Sequence, residues 1–600
     1  MSALGDFTAD RRLVLTATVA AAVGAAGAVA ALVLFRLVCF FTNLFFYQRL
    51  SVANVSPADN ALGLAAVLAP IAGGLVVGLM ARYGSDRIRG HGIPEAMEAI
   101  LIGRSRMEPK VAVLKPLSSA ISIGSGGPFG AEGPIIMTGG AIGSIVAQAL
   151  HVTAAERKTL LVAGAAAGMS ATFGTPVAAV LLAVELLLFE WKPRSFVPAA
   201  IASAVAAALR PYLLGSGALF PLPERGAMDL AALAACVPVG LVAGGVSSLL
   251  TWAVYAAEDA FQLLPMHWMW WPAIGGAVVG IGGLLEPRAL GVGYDEIGKL
   301  IAGDGSATGL ASLLIAKALI WAIALGSGTS GGVLAPLLMV GAALGCLESP
   351  MLPASGAPLW PLVSLAAIMG ATMRSPLTAV VFSLELTHDV GALLPTLIAC
   401  ATGHAFTVLV MKRSILTEKV ARRGVVLTRE YSTDPLEALT VGDVMTRSVE
   451  TVPAELPARE LEARFFGRDP ARRRHQGYPV VDGSGCLLGV VTRSSLIDRA
   501  STEALDSAVV GDLLQREPIV AFPDESCRAA AERMANAAVG RLPVVERGKP
   551  DSVVGVVSRS DLLKARGRWL ELEQRRERLL TPRLHPRLAG RRRAEPVAGA

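Results

Sequence analysis

Two regimes of polarity divide the chain. From Leu13 to about Met411 apolar runs dominate, among them LVLTATVAAAVGAAGAVAALVLF (13–35) and AALAACVPVGLVAGGVSSLLTWAVYAA (231–257). Each exceeds the ~20 helical residues needed to cross a hydrocarbon core. After about Arg422 polar and apolar positions alternate at short range, as in a water-exposed fold. The pattern predicts a polytopic helical membrane protein with a soluble C-terminal part. The first run is too long for a secretion-signal core and leads straight into more apolar chain, so it is expected as a retained helix. Other runs are too short to span. PVAAVLLAVELLLFEW (176–191) and APLWPLVSLAAIMGATM (357–373) are expected as tilted or re-entrant helices.

Composition agrees with the pattern. Of 600 residues 53% are hydrophobic and 17% charged, with a mean hydropathy of +0.55; soluble domains carry ~25% charge. The net charge of +6 owes much to clusters near the ends of apolar runs: Arg11 and Arg12, Arg104 and Arg106, Arg157 and Lys158, Lys412 and Arg413. The positive-inside rule then predicts both termini cytoplasmic and an even number of crossings, and the location expected for the multi-pass chain is the cell (inner) membrane. The six cysteines form no CxxC pair, so neither a zinc site nor a disulfide framework is signalled. No required cofactor, metal, nucleic-acid partner or enzymatic constellation is expected.

The membrane part repeats itself. GSGGPFGAEGP (124–134) resembles GSGTSGGVLAP (326–336), displaced by 202 positions, and TPVAAVLLAVEL (175–186) resembles SPLTAVVFSLEL (375–386), displaced by 200. Two matches at nearly one displacement predict duplicated halves, about 60–215 and 230–412. Duplicated halves with glycine- and proline-broken segments point to a transport site at mid-membrane. Irregular backbone is tolerated at that depth only where it lines a cavity or is buried in protein.

A helix that starts inside the membrane exposes unpaired N–H groups and the positive end of its dipole. Anions are stabilised there. GAEGP and GVLAP both have the form of such a start, glycine allowing close approach and proline fitting the first turn. GSGGPFGAEGPIIMTGG (124–140) also holds one carboxylate, Glu132, with no Lys or Arg in the segment. Backbone N–H groups at a helix start would hold that carboxylate, or an anion in its place. No acid cluster appears in the apolar runs, which weighs against a cation site.

At these residues the chain resembles a known family. GHGIPEA (90–96), GAEGPIIMTGGAIGS (130–144) and GGVLAPLLMVGAALG (331–345) resemble three signature segments of the CLC family of voltage-gated chloride channels and proton/chloride exchangers. GGLLEPRALGVGYDEI (282–297) and SPLTAVVFSLELT (375–387) are similar to it as well, so the likeness covers roughly 13–423 in order. It implies a polytopic all-α membrane fold with an inverted internal repeat and broken or re-entrant helices. It also implies a homodimer with a chloride pathway in each subunit. Glu132 takes the place of the gating glutamate. His91, Gly92, Ala131, Gly133, Gly332, Val333, Leu334 and Leu416 take the places of the anion-binding positions. Some side chains depart from the family pattern. His91 replaces its serine, Leu334 its phenylalanine, Ala131 the basic residue before the gate, and Leu416 the inner tyrosine. Leu186 stands where exchangers often carry an inner proton glutamate, which favours passive chloride conduction. A proton-coupled chloride antiporter is the alternative, and a magnesium transporter with similar soluble domains a more remote one. Glu185 and Glu385, which recur in both halves, are expected to hold helix ends or loops.

The C-terminal part has its own repeat, GYPVVDGSGCLLGVVTRSSL (477–496) against GRLPVVERGKPDSVVGVVSRSDL (540–562). Two β-α-β-β-α units are expected, and they resemble a tandem pair of CBS domains, a soluble α+β module. The resemblance implies either an adenine-nucleotide site (AMP, ADP or ATP), with Thr492, Ser558 and Asp561 in the ribose-contacting pattern, or a ligand-free dimerisation module. The domain expectation is a cytoplasmic N-terminus at 1–12, the transport domain at 13–423, a linker at 424–437, CBS motifs at 438–500 and 508–567, and a basic, disordered tail at 568–600.

Overall fold

Apolar periodicity and proline-started turns set the helices of the first unit, 1–429. A computed structural model describes residues 11–188, 190–222, 228–303, 309–424, 434–465, 476–497, 508–514 and 517–574. The first unit holds α1 (Arg12–Tyr47), α2 (Leu68–Tyr83), α3 (Ile93–Leu101), α4 (Pro109–Gly124), α5 (Glu132–Ala149), α6 (Ala154–Phe173), α7 (Pro176–Leu182, continued as a π turn over Ala183–Leu188) and α8 (Pro193–Leu213). It continues with α9 (Leu230–Gln262), α10 (Trp271–Leu285), α11 (Tyr294–Ala302), α12 (Leu310–Gly326), α13 (Leu334–Glu348), α14 (Trp360–Met373), α15 (Pro376–Thr387), α16 (Leu393–Val410) and α17 (Ile415–Arg422). Among the described residues seven helical stretches are long and apolar enough to cross a membrane, and four apolar helices are shorter. The short run at 357–373 forms α14, every residue of which is buried. It is apolar because protein surrounds it, not lipid.

The duplication is visible as matched packing. Added Cβ atoms at Gly139 and Gly143 of α5 would fall 2.1 and 2.0 Å from the backbone oxygens of Gly164 and Leu160 in α6. In the second half, Gly341 and Gly345 of α13 meet the backbone of Leu365 and Trp360 in α14 in the same way, at 2.5 and 2.3 Å. Without a hydrophobic drive between helices in lipid, small residues that admit a neighbouring backbone are what let helices associate closely.

The two halves also cap each other. Glu385 of α15 accepts from the backbone N–H of Val177 and Ala178 at the start of α7, at 2.9 and 2.8 Å. Glu185, in the π turn after α7, accepts from the N–H and hydroxyl of Thr378 at the start of α15, at 2.9 and 2.5 Å. Each acid satisfies orphan donors of the opposite half's helix. That is the helix-holding role expected of the recurring pair.

In the second unit, 430–600, β1 (Val452–Pro453) runs parallel to β2 (Gly477–Val481), which pairs antiparallel with β3 (Leu487–Thr492). The second repeat pairs β4 (Arg541–Glu546) with β5 (Lys549–Ser558). Both hairpins carry a register shift at the matching place, between Val480 and Val481 and between Val544 and Val545. Each hairpin covers its own apolar core, with helix Ala458–Phe465 in one and Cys527–Asn536 in the other. This is the α+β architecture expected. The helix from Arg559 runs to Gln574, seven residues into the stretch expected as tail. Residues 1–10, most of the expected linker (425–433) and 575–600 lie outside the described residues.

Candidate anion pathway

Three helix starts converge on one place, held there by backbone contacts, and a fourth helix is tied to them by an ion pair. The loop before α5 and the loop before α13 are stitched together: Gly130 N–H donates to the Gly332 carbonyl at 3.3 Å, and Gly332 N–H returns a bond to Gly130 at 2.9 Å. The loop before α3 joins them through a parallel bridge between Gly90 and Ser330. Gly92, the N-cap of α3, has φ of +92°. A Cβ there would sit 2.6 Å from the Gly133 carbonyl oxygen, and one on Gly133 would sit 1.7 Å from that of His91. Only glycine permits this approach of α3 to α5. Helix α17 joins through Lys419 of its last turn, whose Nζ is 2.8 Å from Glu95 of α3.

Glu132 is the first residue of α5 and is fully buried. Its Oε1 accepts from the Tyr294 hydroxyl at 3.2 Å. Its Oε2 has no hydrogen-bond partner among the described residues and lies against Gly130 and Gly332, where a Cβ would fall 1.7 and 2.7 Å away. The carboxylate is thus seated in the cleft between the α5 and α13 starts, with the backbone at Ala335 beside it.

The residues expected to bind an anion differ in what their polar groups are free to do. Ala131, Gly133, Val333 and Leu334 lie at the starts of α5 and α13, where the first N–H groups have no intrahelical acceptor. Leu416 is in the first turn of α17 and fully buried. Two expected backbone donors are already committed: Gly92 N–H to Glu95 Oε2 at 2.8 Å, and Gly332 N–H to Gly130. Their glycines make room, while their N–H groups hold the loops. His91 is buried, and its Nδ1 has no partner among the described residues.

Three features escaped sequence reasoning. Lys115 of α4 is fully buried and donates to the carbonyls of Ile88 and Gly90, at 2.8 and 2.7 Å. Lys317 of α12 does the same to Ala289 and Gly291, at 2.9 and 2.8 Å. In a trans peptide the N–H points opposite the carbonyl. Each ammonium therefore pulls carbonyls toward itself and turns the following N–H groups, among them that of His91, the other way. The signal was present as GHG followed by Lys115 and GVG followed by Lys317, at the repeat spacing of 202 between the lysines. The second feature is Tyr294. The third is Tyr255 of α9, whose hydroxyl donates to the Ile415 carbonyl at 2.5 Å and so reaches the α17 start, where Leu416 has no hydroxyl to offer.

In the C-terminal unit, Ser558 donates from both N–H and hydroxyl to Asp561 Oδ2, at 2.9 and 2.6 Å. Both residues line a cleft of about 600 Å³ together with Arg541, Arg559 and Lys564. Burial, and then the neighbouring Arg559 guanidinium, push Arg541 below the usual arginine range. Thr492 does not line this cleft. Its hydroxyl bonds Ser494 and Ser495, at 2.8 and 2.9 Å, so Ser495 occupies the turn position that Asp561 holds in the second repeat. Among the described residues no group of three His, Cys, Asp or Glu is placed to hold a metal ion.

A family model described as voltage gated chloride channel matches residues 72–408, and one for the CBS domain matches 441–501 and 510–568. A putative chloride channel protein ClcB-like from Ralstonia nicotianae is 29% identical over 350 residues, 57% of this chain and 82% of that protein. An H(+)/Cl(-) exchange transporter ClcA from Citrobacter koseri is 31% identical over 328 residues, 52% of this chain and 68% of that protein. Among solved structures, a slow cyanobacterial Cl-/H+ antiporter aligns with a TM-score of 0.61 at 21% identity, over 69% of this chain and 99% of that one. A eukaryotic CLC transporter aligns with a TM-score of 0.54 at 20% identity, over 92% of this chain and 98% of that one.

Proposed function

The chain belongs to the voltage-gated chloride channel family and carries a pair of CBS domains, and from that premise we propose that it carries chloride past a gate formed by Glu132. The observation that carries the proposal is the seat of Glu132, a fully buried carboxylate at the start of α5 with one oxygen unpartnered among the described residues. Chloride competes for this place: the orphan N–H groups of Ala131, Gly133, Val333 and Leu334 serve either anion. On the inner side, His91 and the α17 start at Leu416 line the path. Moderate binding by partial charges suits conduction, since an ion must both enter and leave.

Conduction without coupled proton movement is favoured. Leu186 cannot relay a proton, and Glu185 is committed to Thr378. The alternative, a proton-coupled chloride antiporter, is separated by one experiment. Full-length protein in liposomes is followed for chloride efflux and proton movement together. Chloride efflux without proton uptake is the expected result; proton pumping driven by a chloride gradient refutes conduction. Glu132→Ala is expected to keep flux and lose its dependence on pH. Retained pH dependence removes Glu132 as the gate.

The protein works as a homodimer in an inner membrane, with both termini in the cytoplasm. The C-terminal cleft binds an adenine nucleotide. Both bonds from Ser558 go to Asp561 Oδ2, which leaves Oδ1 for a ribose hydroxyl, and the cations Arg541, Arg559 and Lys564 suit phosphate.

A further inference from the structure

A carboxylate offers about four acceptor positions. Buried in protein, each of its oxygens normally has at least one partner. Among the described residues the Tyr294 hydroxyl is the one side-chain donor to Glu132, beside the backbone N–H groups of Glu132 itself and of Ala335, and its bond joins the two halves of the duplication, α5 in the first and α11 in the second. The tyrosine is held independently of the acid. Its ring meets Phe173 edge-on, with centroids 6.2 Å apart, and tilts against Phe220 at 6.4 Å. Phe173 is braced in turn by Phe382 at 5.1 Å. The phenol is thus placed by ring packing and not by its bond to the acid.

We propose that the Tyr294 hydroxyl is a latch that holds the Glu132 carboxylate in its seat, so that this one hydrogen bond sets how often the gate opens. The inference rests on Glu132 being the gate. The ionised acid is held more tightly than the protonated acid, because a hydroxyl donor favours the charged acceptor. Of the side chains around the carboxylate, Tyr294 alone among the described residues donates to it, and the backbone N–H groups of Glu132 and Ala335 stay in place whether or not the hydroxyl is present. Lys317 of α12 is close enough to act on it through space but gives its hydrogen bonds to Ala289 and Gly291. The α3 loop brings the His91 carbonyl to Gly133, and α13 brings backbone at Ala335.

The test is chloride efflux from liposomes holding the full chain, at near-neutral and at mildly acidic pH, for the native protein, Tyr294→Phe, Glu132→Ala and the double variant. Phenylalanine keeps the ring packing and removes only the hydroxyl. Losing a hydrogen bond to a charged group shifts the seated-to-released ratio about tenfold or more. Efflux of Tyr294→Phe at neutral pH is therefore expected to rise about tenfold, and to converge with native efflux at acidic pH, where the gate is already released. In the Glu132→Ala background the same change is expected to leave the rate unaltered. An equal effect in both backgrounds, or none in either, overturns the latch while a pH-independent Glu132→Ala leaves the gate standing. A Glu132→Ala variant that keeps its pH dependence overturns both.

Discussion

Replacing Glu185 by glutamine separates a structural acid from a proton relay. Both of its hydrogen bonds enter Oε2, from the N–H and hydroxyl of Thr378. Glutamine keeps an acceptor oxygen but loses the charge. Bonds to a charged acceptor exceed neutral ones by about 1 kcal/mol each. The lost attraction to the positive start of α15 adds roughly 0.3–1 kcal/mol. Glu185 is half-buried, so little desolvation is recovered in return. The change should cost about 2–3 kcal/mol. Alanine, which leaves two donors of Thr378 without this acceptor, should cost a further 1–3 kcal/mol. Thermal unfolding in detergent is the assay for stability, and paired chloride and proton flux in liposomes the assay for transport. We expect a melting temperature lowered by several degrees, with alanine worse than glutamine, and an unchanged ratio of proton to chloride movement. An unchanged melting temperature with altered proton movement would refute the capping role and make Glu185 part of a proton path.

Two further outcomes follow from contacts at the sites. Gly133→Ala places a Cβ 1.7 Å from the His91 carbonyl oxygen, which no rotamer relieves, so α3 and α5 must part. Flux should be lost together with roughly 1–3 kcal/mol of stability, whereas Gly245→Ala, with nothing within 4 Å, should be silent in the same flux assay. Calorimetry of AMP, ADP and ATP against the full chain should give binding that Asp561→Ala and Arg541→Ala each weaken; no heat with any of the three excludes the nucleotide site.

Elements with a local cause were legible before any coordinates. Apolar run length announced the membrane part, proline and glycine marked the broken starts of α5, α7, α13 and α15, and the PVV repeats at 479–481 and 543–545 announced paired hairpins. The one carboxylate in GSGGPFGAEGP drew attention to Glu132 because a lone acid in an apolar setting is costly without donors. Resemblance then supplied a role for it. Less legible was which glycine does what. Gly92 and Gly133 are alike in sequence, yet one N–H is spent on Glu95 and the other stands at a helix start without an intrahelical acceptor.

The chain's order of polar and apolar residues, and its two internal repeats, were enough to establish a duplicated membrane domain followed by a duplicated α+β module. Those properties depend on periodicity and spacing, which are written along one dimension. Partnership is not. Glu185 meets Thr378, Glu385 meets Val177, Tyr294 meets Glu132, and Lys115 meets the Gly90 carbonyl, across separations of 193, 208, 162 and 25 positions. A lysine in an apolar helix reads as a loop-facing or snorkelling charge until the fold brings two carbonyls to it. Only the tertiary structure turns scattered charges into caps, props and a seated carboxylate, because a buried polar group is tolerated just where the fold delivers its partner.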